Sequence, residues 1–447
     1  MSGRRGIKRF DAGVFGVVLA AVVLVAIGVA TLTPSPGTPV TGSLWCIACG
    51  ELGALDVLAN IVMFLPLGFA LALATERRWI PVLVCVATTL IVESLQINVV
   101  IGRDASLSDL MANSLGGWIG CELGLRWRTF IVPTRRQAVR LSVVGALVFA
   151  VVGVLTSLGL RPAKVPRSMW IQWLPPRTSY EPFTGRVLQF DVNGIDLPPG
   201  FPPASLGLTG VLSGDAWLAT TRVDRRALQP TRSIIVRVAE EFTVLVSVEQ
   251  HGWDLTCQQK TRSADFRFRS PRVLLRGAFR PEGVRSTNEI NLLCARARGG
   301  LSAGVRESGD PRTETVRLSP SLGWLLLSPF DIAVSTRLWW VGALWLFALA
   351  YPAGFWAGMI RDEAGMARQG PTRTRGRLLV TLLASLAVGL AVSPTLAGTA
   401  RGALWEWAAA LGGAATGVVT ALIIARIRRP AAEPALYSSA RVLGDAA

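Results

Sequence analysis

Three acid–amide pairs interrupt apolar stretches of this chain: Asp56 with Asn60, Glu93 with Gln96, and Asp109 with Asn113. The partners in each pair are three or four residues apart, so on a helix they share one face. A carboxylate next to hydrocarbon costs roughly 2.5 to 3.5 kcal/mol or more, and apolar packing calls for none of them. Such groups can carry a proton, accept hydrogen bonds from a bound polar group, or pair with a cation. Glu93 and Asp109 are the acid/base candidates, and Arg103, between the second and third pairs, is the candidate anion clamp. Asp56 and Asp109 also fit helix starts, where a carboxylate meets the positive end of the dipole. Glu93 does not fit that alternative, because it lies toward a helix C-terminus and needs Arg103, a proton or a ligand as partner.

The elements that must hold these residues are membrane helices. With 447 residues, 51% of them apolar, and a mean hydropathy of +0.44, the chain is too hydrophobic for a soluble globule and long enough for several folded units. The net charge of +17 comes from arginines in short runs between apolar stretches, which reads as membrane topology and not as a nucleic-acid surface. Only three of the 46 basic residues are Lys, the usage of a GC-rich, actinobacteria-like genome. With the single His251, a metal site built from imidazoles is excluded, and no cofactor is called for.

Eight spans are expected, at about 13–32, 55–74, 80–98, 109–125, 140–160, 338–359, 377–398 and 403–425. The basic start and first apolar run also fit a signal peptide, but no small-residue cleavage site follows, so an uncleaved helix is expected. Arg4, Arg5, Lys8 and Arg9 place the N-terminus in the cytoplasm. The connectors Arg77-Arg78, Arg126 to Arg140 and Arg361 to Arg377, and the tail Arg426-Arg428-Arg429, fall on that same side. Residues 1–160 then form a five-span membrane unit, 336–429 a three-span unit, and 430–447 a disordered cytoplasmic tail. Segment 161–335 becomes an extracytoplasmic domain. It shows strand-period alternation at Phe242, Val244, Val246 and Val248, and at Phe266 and Phe268 against Arg267 and Arg269. Turns such as Asn193-Gly194 and Ser308-Gly309-Asp310 punctuate it. An all-β sandwich of ~150 residues is expected, weakly resembling concanavalin or laminin-G-like jelly rolls.

In this topology the three acid–amide pairs lie at one depth near the outer face. Gly116, Gly120 and Gly124 form a stripe that lets another helix approach closely, and Pro66 before Gly68 predicts a kink or a freed carbonyl. Glu406, between Trp405 and Trp407, reads as a hydrated carboxylate in an interfacial aromatic belt. Spans five to eight carry no second copy of the polar set, which argues against a transporter.

The string Asp56-x-x-x-Asn60-x-x-x-Phe64-x-Pro66-x-Gly68, then Glu93-x-x-Gln96, then Gly102-Arg103 and Asp109-x-x-x-Asn113-x-x-Gly116, resembles the VanZ-like membrane family over roughly 50–125. The resemblance implies an integral membrane protein of the bacterial cell envelope, in a family named for a protein associated with low-level resistance to the glycopeptide teicoplanin. It supplies no reaction. The outer β-domain and three further spans are additions to the minimal pattern.

Cys46 and Cys49 form a C-x-x-C before the second span, read as a disulfide, with a redox motif and a metal pair as alternatives. Cys257 and Cys294 are a plausible second disulfide. No nucleophile elbow, phosphate loop or dinucleotide fingerprint is present. The function expected is binding of a membrane lipid or lipid-linked envelope precursor by Asp56, Asn60, Glu93, Gln96, Arg103, Asp109 and Asn113. The β-domain would bind glycan or an envelope protein, with no nucleic acid as partner. A membrane enzyme acting on such a precursor and a proton-coupled transporter or flippase are the alternatives.

Overall fold

The apolar runs between the arginine connectors form helices, since a backbone in hydrocarbon must satisfy its own hydrogen bonds. The computed structural model describes residues 3–34, 51–100, 106–166, 168–175, 182–203, 206–224, 228–240, 243–280, 289–297, 299–307, 311–360 and 371–427. Its long helices are α1 (Gly3–Leu32), α2 (Gly53–Thr75), α3 (Trp79–Asn98), α4 (Leu107–Leu125), α5 (Arg135–Gly159) and α6 (Trp339–Gly358). Next come α7, which runs from Pro371–Ala387 through a π turn at Val388–Val392 into Ser393–Ala397, and α8 (Leu404–Ile427).

Among the described residues, seven helices are long and apolar enough to cross a membrane. They correspond to the expected spans except 109–125. That segment is the helix α4, but Asp109, Asn113, Ser114 and Glu122 and its glycines lower its hydropathy, so composition alone gives seven spans and not eight. α2 is continuous across Pro66.

α4 lies alongside α2 in the same direction. A methyl group on Gly116 would overlap the Ile61 carbonyl, one on Gly120 the Leu65 carbonyl, and one on Gly124 would press on Phe69, so the backbones touch through the glycine stripe. The second half of the chain repeats this pair. Gly413 and Gly417 of α8 meet the Phe347 and Tyr351 carbonyls of α6, again in parallel. Gly68 of α2 meets Gly117, and Gly354 of α6 meets Ala414 in the same register. Pro66-Leu67-Gly68-Phe69 thus has its counterpart in Pro352-Ala353-Gly354-Phe355, and Asp109 has its counterpart in Glu406. The connecting helices pack differently. α3 lies on α4, bringing Cys85 against Gly117, whereas α7 lies on α5, with Phe149 and Gly153 against Gly389.

The polar set itself is not repeated. Leu346 and Ala410 stand where the first pair has Asn60 and Asn113.

Between α5 and α6 the chain forms two antiparallel sheets. The first has the order β1 (Trp170–Trp173), β5 (Gln229–Glu240), β6 (Thr243–Gly252), β7 (Asp254–Gln259) and β8 (Arg272–Leu275). The second has the order β11 (Arg312–Arg317), β10 (Gly300–Arg306), β9 (Ile290–Ala297), β4 (Trp217–Val223), β2 (Val187–Val192) and β3 (Ile195–Asp196). Both sheets contribute to one apolar core, among them Val236, Val248 and Leu255 from the first and Val192, Ala219 and Leu292 from the second. Cys257 on β7 is joined by a disulfide to Cys294 on β9, with Cα atoms 5.6 Å apart, tying the sheets together.

Two strand expectations change. β6 buries both faces, because Val246 and Val248 enter the core while Ser247 and Glu249 are buried in a polar network on the other side. Phe266-Arg267-Phe268-Arg269 is no strand. It follows a single helical turn, Arg262–Asp265, and Arg267 turns the backbone at φ +60°.

The β region sits on one end of the helices. Arg296, only 1% exposed, donates to Gln259 Oε1 at 2.9 Å and to the Leu160 carbonyl just beyond α5 at 3.3 Å. Burial holds its guanidinium down at about 10, with Asp215 pulling it up. Ala400 N–H, beyond α7, donates to the Leu318 carbonyl at 3.0 Å.

Candidate functional site

The site builds up from the start of α4. Ser106 caps that helix, its Oγ accepting the Asp109 N–H at 3.1 Å, which fixes Asp109 in the first turn where the helix dipole favours a carboxylate. Close packing of α4 on α2 brings Asn60 alongside, and Asn60 Nδ2 donates to Asp109 Oδ1. From the C-terminal end of α3, Glu93 Oε2 accepts the Ser106 backbone N–H at 3.0 Å. Glu93 is thereby partnered across helices despite the unfavourable dipole end, and it lies within electrostatic reach of Asp109.

One turn deeper, Asn113 Nδ2 donates to Thr89 Oγ1 at 2.8 Å, both side chains being buried. Its Oδ1 finds no partner among the described residues. Gln96 takes a different direction and donates to the Thr31 carbonyl of α1 at 3.0 Å, leaving its Oε1 likewise without a partner among the described residues. Asp56 is exposed at the head of α2, within electrostatic reach of Arg269 in the β region.

The structure therefore joins Asn60, Glu93 and Asp109 around Ser106, sets Asn113 with Thr89 behind them, and sends Gln96 and Asp56 to other partners. Arg103 and its loop lie outside the described residues, as do Cys46 and Cys49. Among the described residues, no group of three or more His, Cys, Asp or Glu is placed to hold a metal. The cluster is rich in acceptors: the carboxylates of Glu93 and Asp109, and the Asn113 amide oxygen that finds no partner among the described residues. An unmet buried acceptor costs about 1–3 kcal/mol, so the site favours a group that brings N–H or O–H donors.

Three residues were missed from sequence. Ser106 was legible in the spacing Ser106-Leu-Ser-Asp109, a helix-start signature, and Thr89 lies one helical turn before Glu93 on the same face. Arg269 had no local signal. Burial, with Arg272 and Arg232 beside it, holds its guanidinium below the ordinary value, against the pull of Asp331 and of Asp56.

That interaction places the β region over the head of α2. A cleft of about 580 Å³ separates them, with Glu51 and Leu52 on one wall and Arg232, Arg269, Arg272 and Asp331 on the other.

The second helix pair uses its acid differently. Glu406 is fully buried, and not the hydrated carboxylate expected. Its Oε1 accepts from Ser319 Oγ, and its Oε2 from the Ala403 N–H at 2.6 Å, so it clamps the exit of the β region onto α8.

No curated protein and no solved structure matches the chain, and the likeness of the β region to jelly rolls stays an expectation. The VanZ/LLP1 family model matches residues 18–128, taking in α1 as well as the motif helices α2 to α4. The chain carries a VanZ/LLP1 domain over residues 18–128, within a membrane protein whose helices are joined to an additional two-sheet β region.

Proposed function

We propose that the VanZ-like core binds the donor-rich polar headgroup of a lipid-linked or amphipathic ligand of the bacterial cell envelope, while α2 to α4 hold its apolar part. The observation that carries this reading is the junction of Asn60, Glu93 and Asp109, backed by the unsatisfied Asn113 oxygen. Hydroxyls or amines of a saccharide or peptide headgroup supply the donor that the Asn113 oxygen lacks among the described residues.

The site then faces the outer leaflet, with both termini cytoplasmic and the β region extracytoplasmic. The disulfide between Cys257 and Cys294 supports that side for the β region. So do the arginines at the opposite helix ends, where Glu122 pairs with Arg126 at 2.8 Å and with Arg78 at 3.8 Å. The parallel course of α4 beside α2 supports an eighth crossing. The β region is read as a sandwich that recognises glycan or an envelope protein.

The repeated helix pair favours one second reading, transport, because repeats often frame an alternating path. The absence of the polar set from the second copy weighs against it.

In a glycopeptide-sensitive host, expression of the wild-type chain is expected to raise teicoplanin tolerance. Glu93→Gln and Asp109→Asn are expected to abolish the gain at unchanged membrane abundance. If both variants retain it in full, the cluster is structural and the reading fails.

A further inference from the structure

The cleft above α2 has a composition of its own. Three guanidiniums converge on one carboxylate: Asp331 accepts from Arg232 Nη1 at 2.8 Å, from Arg269 Nη1 at 3.3 Å, and from Arg272 Nη2. Glu249, buried behind them on β6, takes Arg232 Nε at 2.5 Å and lies 3.7 Å from Arg272 Nη1. Asp331 and Glu249 thus supply the ion pairs of the three guanidiniums, and Asp56 adds a longer-range attraction at Arg269. The side chains of Arg232, Arg269 and Arg272 are only 21%, 16% and 8% exposed, so solvent screens their mutual repulsion weakly. Asp331 is 52% exposed and sits on the strap Ser328–Ser335 that leads into α6, three residues before Val334 bridges that strap to Val273 of β8.

Two large rings adjoin this cluster along the chain, Phe266 three residues before Arg269 and Phe330 next to Asp331. Phe266 is 68% exposed and Phe330 is 71% exposed, on segments that Arg269 ties together through the Ser328 carbonyl at 2.7 Å and the Pro329 carbonyl at 2.7 Å. Phe330 precedes the Thr336–Gly358 span by a few residues, which sets it at the level where the chain enters the membrane.

We propose that this cleft is a binding site for the phosphate of an amphiphile in the leaflet on the β-region side, in which Arg232, Arg269 and Arg272 bind the anion in place of Asp331 while Phe266 and Phe330 rest among the acyl chains. A tetrahedral phosphate offers more acceptor oxygens than the planar carboxylate, and three guanidinium forks can share it. Leu52, on the wall at the head of α2, gives the tail an apolar surface to follow beside that helix. The inference deepens the envelope-ligand reading by adding a phosphate to the ligand's chemistry, but it rests on a separate set of side chains.

The test is calorimetric titration of the full chain, purified in a phosphate-free maltoside, with dihexanoyl phosphatidic acid, inorganic phosphate and dihexanoyl glycerol. Phosphatidic acid is expected to bind about tenfold or more tightly than inorganic phosphate, the glycerol not at all. Arg269→Gln is expected to weaken phosphatidic acid about tenfold, and Asp331→Asn to tighten it severalfold, a gain that misfolding cannot mimic. Phe266→Ser with Phe330→Ser is expected to bring the lipid down to the affinity of inorganic phosphate. Phosphatidic acid carries no saccharide or peptide donors for the acid cluster to take, so Glu93→Gln with Asp109→Asn should leave this binding intact, and the cradle and the acid cluster can fail separately. Loss of phosphatidic acid binding in that pair, or indifference to both Arg269→Gln and Asp331→Asn, overturns the proposal. Equal affinity for inorganic phosphate and the lipid, unaffected by the phenylalanine changes, overturns it in favour of a soluble anion.

Discussion

The two parallel helix pairs share a backbone arrangement and differ in what they do with the acid at its head. In α2 and α4, Asp109 meets Asn60 and the Ser106 cap beside Glu93. In α6 and α8, Glu406 at the equivalent position is sealed under the β region by Ser319. The comparison teaches that packing and chemistry are separable. The small-residue stripe sets the distance between helices, while the few polar residues decide whether the mouth of the pair is a site or a joint.

The largest expected effect tests the shared packing. Gly68→Val and Gly354→Val would each drive a side chain into the backbone of the partner helix, and each is expected to cost about 3 kcal/mol or more. Thermal unfolding in detergent, followed by loss of the monodisperse chromatographic peak, reads this. Gly412→Ala is the control, because a methyl there meets nothing within 4 Å, while Gly413→Ala next to it strikes the Phe347 carbonyl. If Gly412→Ala destabilises as much as Gly413→Ala, the second pair does not pack as the first does.

A smaller effect separates the two acids. Glu406→Ala removes a buried acceptor from both Ser319 and the Ala403 N–H, and about 1–3 kcal/mol of stability is expected to go with it. Asp109→Asn keeps the shape of a partly exposed group and is expected to change stability by less than about 1 kcal/mol while removing ligand binding. Equal destabilisation by the two substitutions would make Asp109 a joint as well.

Smaller again is the cap. Ser106→Ala is expected to cost about 1 kcal/mol and to loosen Glu93 and Asp109 together, read as weaker ligand retention at a nearly unchanged unfolding temperature.

Outside the helices the effect is slight. Arg186 holds the Asp224 carboxyl below the ordinary carboxylate range through backbone and side-chain hydrogen bonds. A depressed folded-state pKa stabilises above the unfolded value, and the contribution fades as the pH falls through the folded one. Asp224→Asn is therefore expected to remove a small acid-side loss of stability, seen when unfolding temperature is followed downward from neutral pH, and to leave both helix pairs untouched.

Much of the membrane architecture could be read from the chain, because long apolar runs between arginines have few alternatives in a bilayer. The Gly116, Gly120 and Gly124 stripe named a close contact correctly, though not its partner. The helix expected at 109–125 is present as α4, but the glycines and polar residues that serve packing and the site dilute its hydropathy below that of the seven candidate spans. The repeat of the helix pair was hidden because it preserves only small-residue spacing and Pro-x-Gly-Phe, while its polar residues have diverged. Glu406 was misread because its partner Ser319 comes from the far side of the β region. Asn60, Glu93 and Asp109 were legible as a set, since topology alone gathers them. Gln96 and Asp56 were not separable from that set, because their partners, Thr31 and the Arg269 neighbourhood, carry no local pattern.

The central claim is that Glu93 and Asp109 hold the headgroup of an amphiphile, and native mass spectrometry of the purified full chain tests it most directly. The wild type is expected to retain a discrete lipid mass that disappears in Glu93→Gln with Asp109→Asn while Gly412→Ala keeps it. A wild-type protein free of any retained lipid, or a double variant that retains it undiminished, would contradict the account.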